Sequence, residues 1–117
     1  MARAATTSDV FNAISEPTRR QIIVLLAGAS ARPVGFIVDK LGLPQPAVSK
    51  HLGVLRKVGV VVVFKQGQQR LYELNAKELK PVYDWVSPFE RLWLNQLDRI
   101  KSRAERMAKR AANRRQD

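Results

Sequence analysis

PVGFIVDKLGLPQPAVSKHLGVLRKVGVVVVFKQGQQRLYEL, residues 33–74, decides the fold. Pro33 opens a short helix with Phe36, Ile37 and Leu41 on one face. Gly42 stops it, because glycine takes the left-handed conformation at a helix C-terminus without penalty. Leu43 and Pro44 make the turn, Pro46 begins a second helix, and Val48, Leu52, Leu55 and Val58 form its buried stripe. Two short helices joined by a tight glycine-containing turn are a helix-turn-helix. Gly59 ends the second helix, and Val60-Val61-Val62-Val63-Phe64 is β-branched and too short to be another. Lys65–Gln69 reads as a polar turn and Arg70–Leu74 as the returning strand. The expected fold is mainly α with a β-hairpin wing, a winged helix-turn-helix.

Upstream, Val10, Phe11 and Ile14 mark a short helix over Ser8–Ser15. Pro17 starts the next, with a polar residue before it to cap, and Ile22, Ile23, Leu25 and Leu26 make it a central buried helix ending at Gly28. Downstream, Asn75 with Glu78 resembles a capping box, and Pro81 keeps that helix short. Ser87-Pro88-Phe89-Glu90 is a stronger start. Phe89, Leu92, Trp93, Leu97, Ile100, Ala104, Met107 and Ala111 then follow helical spacing for about six turns. An apolar stripe that long requires a partner surface. Trp85, Phe89 and Trp93, at helical spacing, read as core or dimer interface. The expected organisation is a flexible segment over 1–7, one domain over 8–110, and a basic tail over 111–117 that frays.

A chain of 117 residues buries about 65% of its unfolded surface, enough for one core. It has no cysteine, which excludes disulfides, thiol switches, zinc ribbons and cysteine nucleophiles. The longest apolar runs, Ile22–Ala29 and Val60–Phe64, fall far short of the roughly 20 residues that span a bilayer. The N-terminal residues lack the apolar core of a signal peptide, so a cytoplasmic location with no membrane partner is expected.

The formal charge is +11, and its placement matters more than its size. Residues 40–72 hold six basic groups (Lys40, Lys50, Arg56, Lys57, Lys65, Arg70) and no acidic one. Residues 101–117 hold seven basic and two acidic groups, while residues 1–39 and 73–100 are nearly balanced. Localised excess of this kind is the footprint of a polyanion partner, here double-stranded DNA. The second helix of the pair can enter a major groove about 12 Å wide. Outside its apolar stripe it presents Gln45, Ala47, Ser49, Lys50, Gly53 and Arg56. Gln45 and Ser49 can bond base edges, Lys50 can reach guanine or phosphate, and small Ala47 and Gly53 permit close approach. Arg56 and Lys57 meet phosphates. Lys65, Gln66, Gln68, Gln69 and Arg70 at the wing tip lie along the backbone or probe the minor groove. Arg19 and Arg20 open a helix, where the dipole disfavours cations, which points to phosphate contact or an interface salt bridge. His51 is expected to pack beneath the recognition helix or touch a phosphate. A lone histidine without a positioned nucleophile is poor ground for catalysis, so no enzyme is expected.

Three motifs carry a family resemblance: Phe11-Asn12-Ala13-Ile14-Ser15-Glu16-Pro17-Thr18-Arg19-Arg20, Gln45-Pro46-Ala47-Val48-Ser49-Lys50-His51-Leu52 and Leu55-Arg56-Lys57-Val58-Gly59. Over roughly residues 8–100 the chain resembles the ArsR/SmtB family of bacterial repressors. The resemblance implies a homodimer whose first and last helices pair, two recognition helices on an inverted repeat, and repression by occluding a promoter, often the protein's own. Val10, Phe11, Ile14, Phe89, Leu92, Trp93, Leu97 and Ile100 would then form the dimer interface. Metal sensors of that family carry paired cysteines, or histidines and carboxylates on the last helix. This chain has no cysteine and one histidine, His51, so no metal or other cofactor is expected and any small-molecule inducer is unidentified. Two other readings fit the composition: an architectural protein that coats DNA without sequence preference, and a winged-helix scaffold whose tail binds an acidic protein.

Overall fold

The computed structural model describes residues 7–116. Element order is α1 (Thr7–Ile14), α2 (Pro17–Ala27), α3 (Val34–Leu41), α4 (Gln45–Lys57), β1 (Val61–Gln66), β2 (Gln69–Leu74), a 3-10 turn (Ala76–Leu79), α5 (Lys80–Val86), a second 3-10 turn (Ser87–Phe89) and α6 (Glu90–Gln116). The chain forms two compact units, one ending at Val82 and the other beginning at Tyr83.

The first unit is built around one apolar cluster. Val10 and Ala13 of α1, Ile22, Ile23 and Leu26 of α2, Ile37 of α3, and Val48, Leu52 and Leu55 of α4 are buried together with Val58, Val60 and Val61. Each helix supplies a stripe, which helical periodicity turns toward a common centre. α2 is less buried than its composition implies: Val24 lies 71% exposed on the face opposite Ile22, Ile23 and Leu26. Gly42 ends α3 in the left-handed conformation (φ 66°), and its amide donates to the Val38 carbonyl at 2.8 Å. That turn sets the crossing of α3 and α4.

β1 and β2 are antiparallel, with Val61 opposite Leu74 and Gln66 opposite Gln69. The expected five-residue turn is therefore a two-residue one, Gly67-Gln68. Gly67 has φ 64° and no other residue of the turn has positive φ, the sign pattern of a II′ hairpin. Arg32 and Tyr72 exchange backbone hydrogen bonds (2.9 and 2.7 Å), so the loop before α3 adds a bridge beside β2. The wing is thereby fixed to the helix-turn-helix through main chain on one side and through buried Val61 and Leu71 beneath.

Two capping expectations are corrected. The Asn75 side chain makes no cap; its amide donates to the Gly59 carbonyl at 3.1 Å, closing the base of the hairpin. The Ser87 hydroxyl donates back to the Asp84 carbonyl (3.5 Å) rather than capping α6. The expected flexible segment falls outside the described residues over 1–6, and Thr7 already belongs to α1. α6 runs unbroken to Gln116 as a helix of 27 residues, about 40 Å long, so residues 111–116 of the expected basic tail are helical.

Candidate nucleic-acid interface

α4 separates two sets of side chains. Val48, Leu52 and Leu55 are at most 1% exposed and lock the helix to the core. Gln45, Ser49, Lys50, Gly53, Arg56 and Lys57 face solvent, and Ala47 and His51 are half-buried. Pro46 in the first turn removes a donor where none is needed, and the Pro44 carbonyl accepts from the amides of Ala47 and Val48. No acidic residue stands in that first turn. Arg56 and Lys57 occupy the last turn, where the helix dipole favours cations whether or not a phosphate is present.

The wing presents Lys65, Gln66, Gln68, Gln69 and Arg70, all exposed. Lys65 and Arg70 stand directly opposite each other in the register. Like charges so placed work against the hairpin, and a bound anion relieves the repulsion. Val62 and Phe64 on the same strand are 41% and 43% exposed, an apolar flank that alternation alone did not single out. Arg32 is a cation that sequence reasoning missed. Its backbone bridge to Tyr72 holds it at the side of the wing, and its guanidinium lies 4.9 Å above the Phe36 ring. Its only sequence signal was a loop position.

His51 is half-buried and faces α2 through one ring nitrogen. Its Nδ1 lies 3.4 Å from an Arg19 guanidinium nitrogen and 3.8 Å from Glu16 Oε2. Glu16 caps α2 by accepting from the Arg19 amide at 3.0 Å. Partial desolvation pushes the Glu16 carboxyl up, but the Arg19 amide, the charge of His51 and hydrogen bonds from Thr18 together outweigh it and hold it below the usual carboxylate value. Arg19 and Arg20 are both engaged locally. Arg19 donates from Nε to the Ala13 carbonyl and from Nη2 to that of Asn12 (3.4 Å). Arg20 donates to Ile14 (2.8 Å) and Ser15 (3.0 Å). The two guanidiniums thus donate to carbonyls at the end of α1, where a helix favours cations.

The expected interface residues divide. Val10 is 2% exposed and belongs to the core of its own unit, a correction to its assignment as an interface residue. Phe11 and Ile14 beside it are half-buried. In the second unit Phe89, Leu92, Trp93, Leu97 and Ile100 are 40–64% exposed. Trp85, Phe89 and Trp93 form a ladder of rings, the first pair edge-on at 5.6 Å and the second stacked at 6.4 Å. Among the described residues no three His, Cys, Asp or Glu side chains stand close enough to hold a metal ion. No helix there is long and apolar enough to cross a membrane.

A core-anchored helix with a polar, acid-free outer face, followed by a basic two-stranded wing, defines a winged helix-turn-helix DNA-binding protein. Comparison with known proteins is specific about which. Residues 16–63 match the family described as bacterial regulatory protein, arsR family. An uncharacterised HTH-type transcriptional regulator of Methanocaldococcus jannaschii is 34% identical over 86 residues, 74% of this chain and 97% of that one. The transcriptional repressor SdpR of Bacillus subtilis is 35% identical over 82 residues, 70% of this chain and 90% of that protein. Among solved structures, an ArsR-like transcriptional regulator from Rhodococcus sp. RHA1 superposes with a TM-score of 0.62 at 28% identity, covering 84% of this chain and 92% of that one. The chain belongs to the ArsR family. It is a DNA-binding transcriptional regulator and not an enzyme.

Proposed function

We propose that the protein represses transcription as a homodimer bound to an inverted-repeat operator, its own promoter included. The observation that carries this is the outer face of α4: Gln45, Ser49 and Lys50 are exposed on a helix whose inner face is clamped by Val48, Leu52 and Leu55. A rigidly held helix with amide, hydroxyl and ammonium groups at its N-terminal end suits base-edge readout. In this reading Ala47 and Gly53 give clearance, and Arg56, Lys57, Lys65, Gln66, Gln68, Gln69 and Arg70 hold the phosphate backbone. His51 acts at one remove, by fixing α4 against Arg19 and Glu16. The name of SdpR supports repression as the output.

The dimer rests on exposed apolar surface. Leu92, Trp93, Leu97 and Ile100 lie 48–64% exposed along one helix, more than a lone helix leaves to water without a partner. A second copy covers them, together with Phe11 and Ile14. Sedimentation at micromolar concentration is expected to give a dimer; a stable 13.2 kDa monomer would refute it. The operator is tested by selection from a random duplex library at near-physiological salt. An inverted repeat with half-site centres one helical turn, or a multiple, apart is the expected product. Firm binding without an enriched motif would replace this reading with the architectural one, and absence of binding with the scaffold.

A further inference from the structure

We infer that the C-terminal half of α6 is a second duplex-DNA contact, one that grips phosphates without reading sequence. It rests on the DNA-binding reading above and adds to it a surface that the winged helix does not contain. Arg99, Arg103, Arg106, Arg110 and Arg114 recur at intervals of four, three, four and four residues. At 3.6 residues per turn all five fall within an arc of about 80°, along about 22 Å of helix. None of the carboxylates of α6 falls inside that arc: Glu90 lies opposite it, and Asp98 and Glu105 lie about 120° and 140° from its centre. All five arginines are exposed, and none has a salt-bridge partner among the described residues.

The chemistry selects the partner. Every residue of the row is arginine, although Lys101 and Lys109 stand elsewhere on the same helix. A guanidinium presents a planar fork that pairs two phosphate oxygens at once, which an ammonium cannot do. A DNA strand carries one phosphate about every 3.4 Å of axis, so a 22 Å row faces a continuous run of them. A second copy of this helix is a poor occupant. Beyond Ile100 the apolar seam shrinks to Ala104, Met107 and Ala111, and its flanks are Lys101 and Arg115 on one side and Arg103 and Arg110 on the other. Self-pairing there brings cation against cation. An acidic protein is also disfavoured, because this half offers only Met107 as a large apolar anchor.

The test is salt-dependent binding of the full-length chain to a 30-base-pair duplex of random sequence, between about 50 and 200 mM salt. Two variants are compared with the parent. One carries Arg103→Gln, Arg106→Gln, Arg110→Gln and Arg114→Gln; the other places lysine at the same four positions. Glutamine keeps helix propensity, and circular dichroism checks that the helix survives. The expected result is a slope of log affinity on log salt that is shallower by about 2 to 4 in the glutamine variant. The lysine variant is expected to keep most of the slope, and sedimentation to be the same for all three. An unchanged slope in the glutamine variant overturns the inference, as does a change that accompanies altered sedimentation. Binding of poly-glutamate as tight as that of the duplex overturns it in favour of an acidic protein partner. A wing variant, Lys65→Gln with Arg70→Gln, separates the two readings. If it alone loses slope, the winged-helix reading stands and this one falls. If the parent binds no duplex, both fall.

Discussion

His51, in the middle of α4, has its Nδ1 3.8 Å from Oε2 of Glu16, the residue that caps α2. Arg19 stands between them, touching His51 at 3.4 Å while donating to carbonyls at the end of α1. Three helices therefore meet on one small polar cluster, and the orientation of α4 depends on it as well as on the apolar core. A half-buried network of this kind specifies a position more than it adds net stability.

The cluster gives a pH prediction. The Glu16 carboxyl is held below its ordinary value of 4.5, so its stabilisation is fully present above that pH. It is lost as pH falls through the lower folded-state value, because the unfolded chain takes up the proton first. Glu16→Gln is expected to be less stable than the parent in urea at pH 7, and the gap to close as pH falls below 4.5. A gap that persists unchanged once the carboxyl is fully protonated would show that the charge is not its source.

Gly42 and Gly53 are expected to respond oppositely to alanine. Gly42 holds φ 66° with open space around an added Cβ, so Gly42→Ala costs backbone strain alone, about 1–2 kcal/mol. Gly53 lies inside α4 at ordinary helical φ, and an added Cβ there also meets nothing within 4 Å. Gly53→Ala is expected to stabilise the fold by about 0.5–1 kcal/mol. If Gly53 provides clearance at the DNA, the same variant binds operator more weakly. Thermal melts and a binding titration on one sample distinguish the two effects.

The opposed cations of the wing predict a similar trade. Lys65→Glu converts the cross-strand pair with Arg70 from like to unlike charge. On an exposed hairpin this is worth about 0.2–1 kcal/mol of stability, less at high salt. Affinity for duplex is expected to fall, with a salt slope shallower by about 1 or more. Unchanged DNA binding would remove Lys65 from the interface.

Much of this architecture could be read from residues 33–74, because each element there carries its own stop. Gly42, Pro46 and Gly59 punctuate the helices, and the valine run admits only a strand. Local rules fail where a side chain has a choice of partners. Asn75 has the sequence of a cap but bonds to Gly59, which lies 16 residues away and is visible only after the hairpin closes. The helix reaches Gln116 because the alanine, lysine and arginine residues at the end of α6 have high helix propensity, which a position near the chain end does not convey. The exposure of the outer face of α4 was legible in its helical periodicity, and that of the wing tip in its polar turn residues. Arg32 was not, since only the bridge to Tyr72 brings it there.

Arg20 has two roles that one variant can separate. Its position at the start of a helix invites a phosphate, yet its guanidinium is committed to the carbonyls of Ile14 and Ser15. If that local role is the whole of it, Arg20→Ala frays the end of α1 at a cost of a few tenths to about 1 kcal/mol, modest because the group is exposed. The salt slope of DNA binding is then expected to match that of the parent. A phosphate-binding Arg20 predicts the reverse, a slope shallower by about 0.9 with little change in stability. Measuring both quantities on the one variant decides between a helix clasp and a DNA contact, because each role moves one observable and leaves the other where it was.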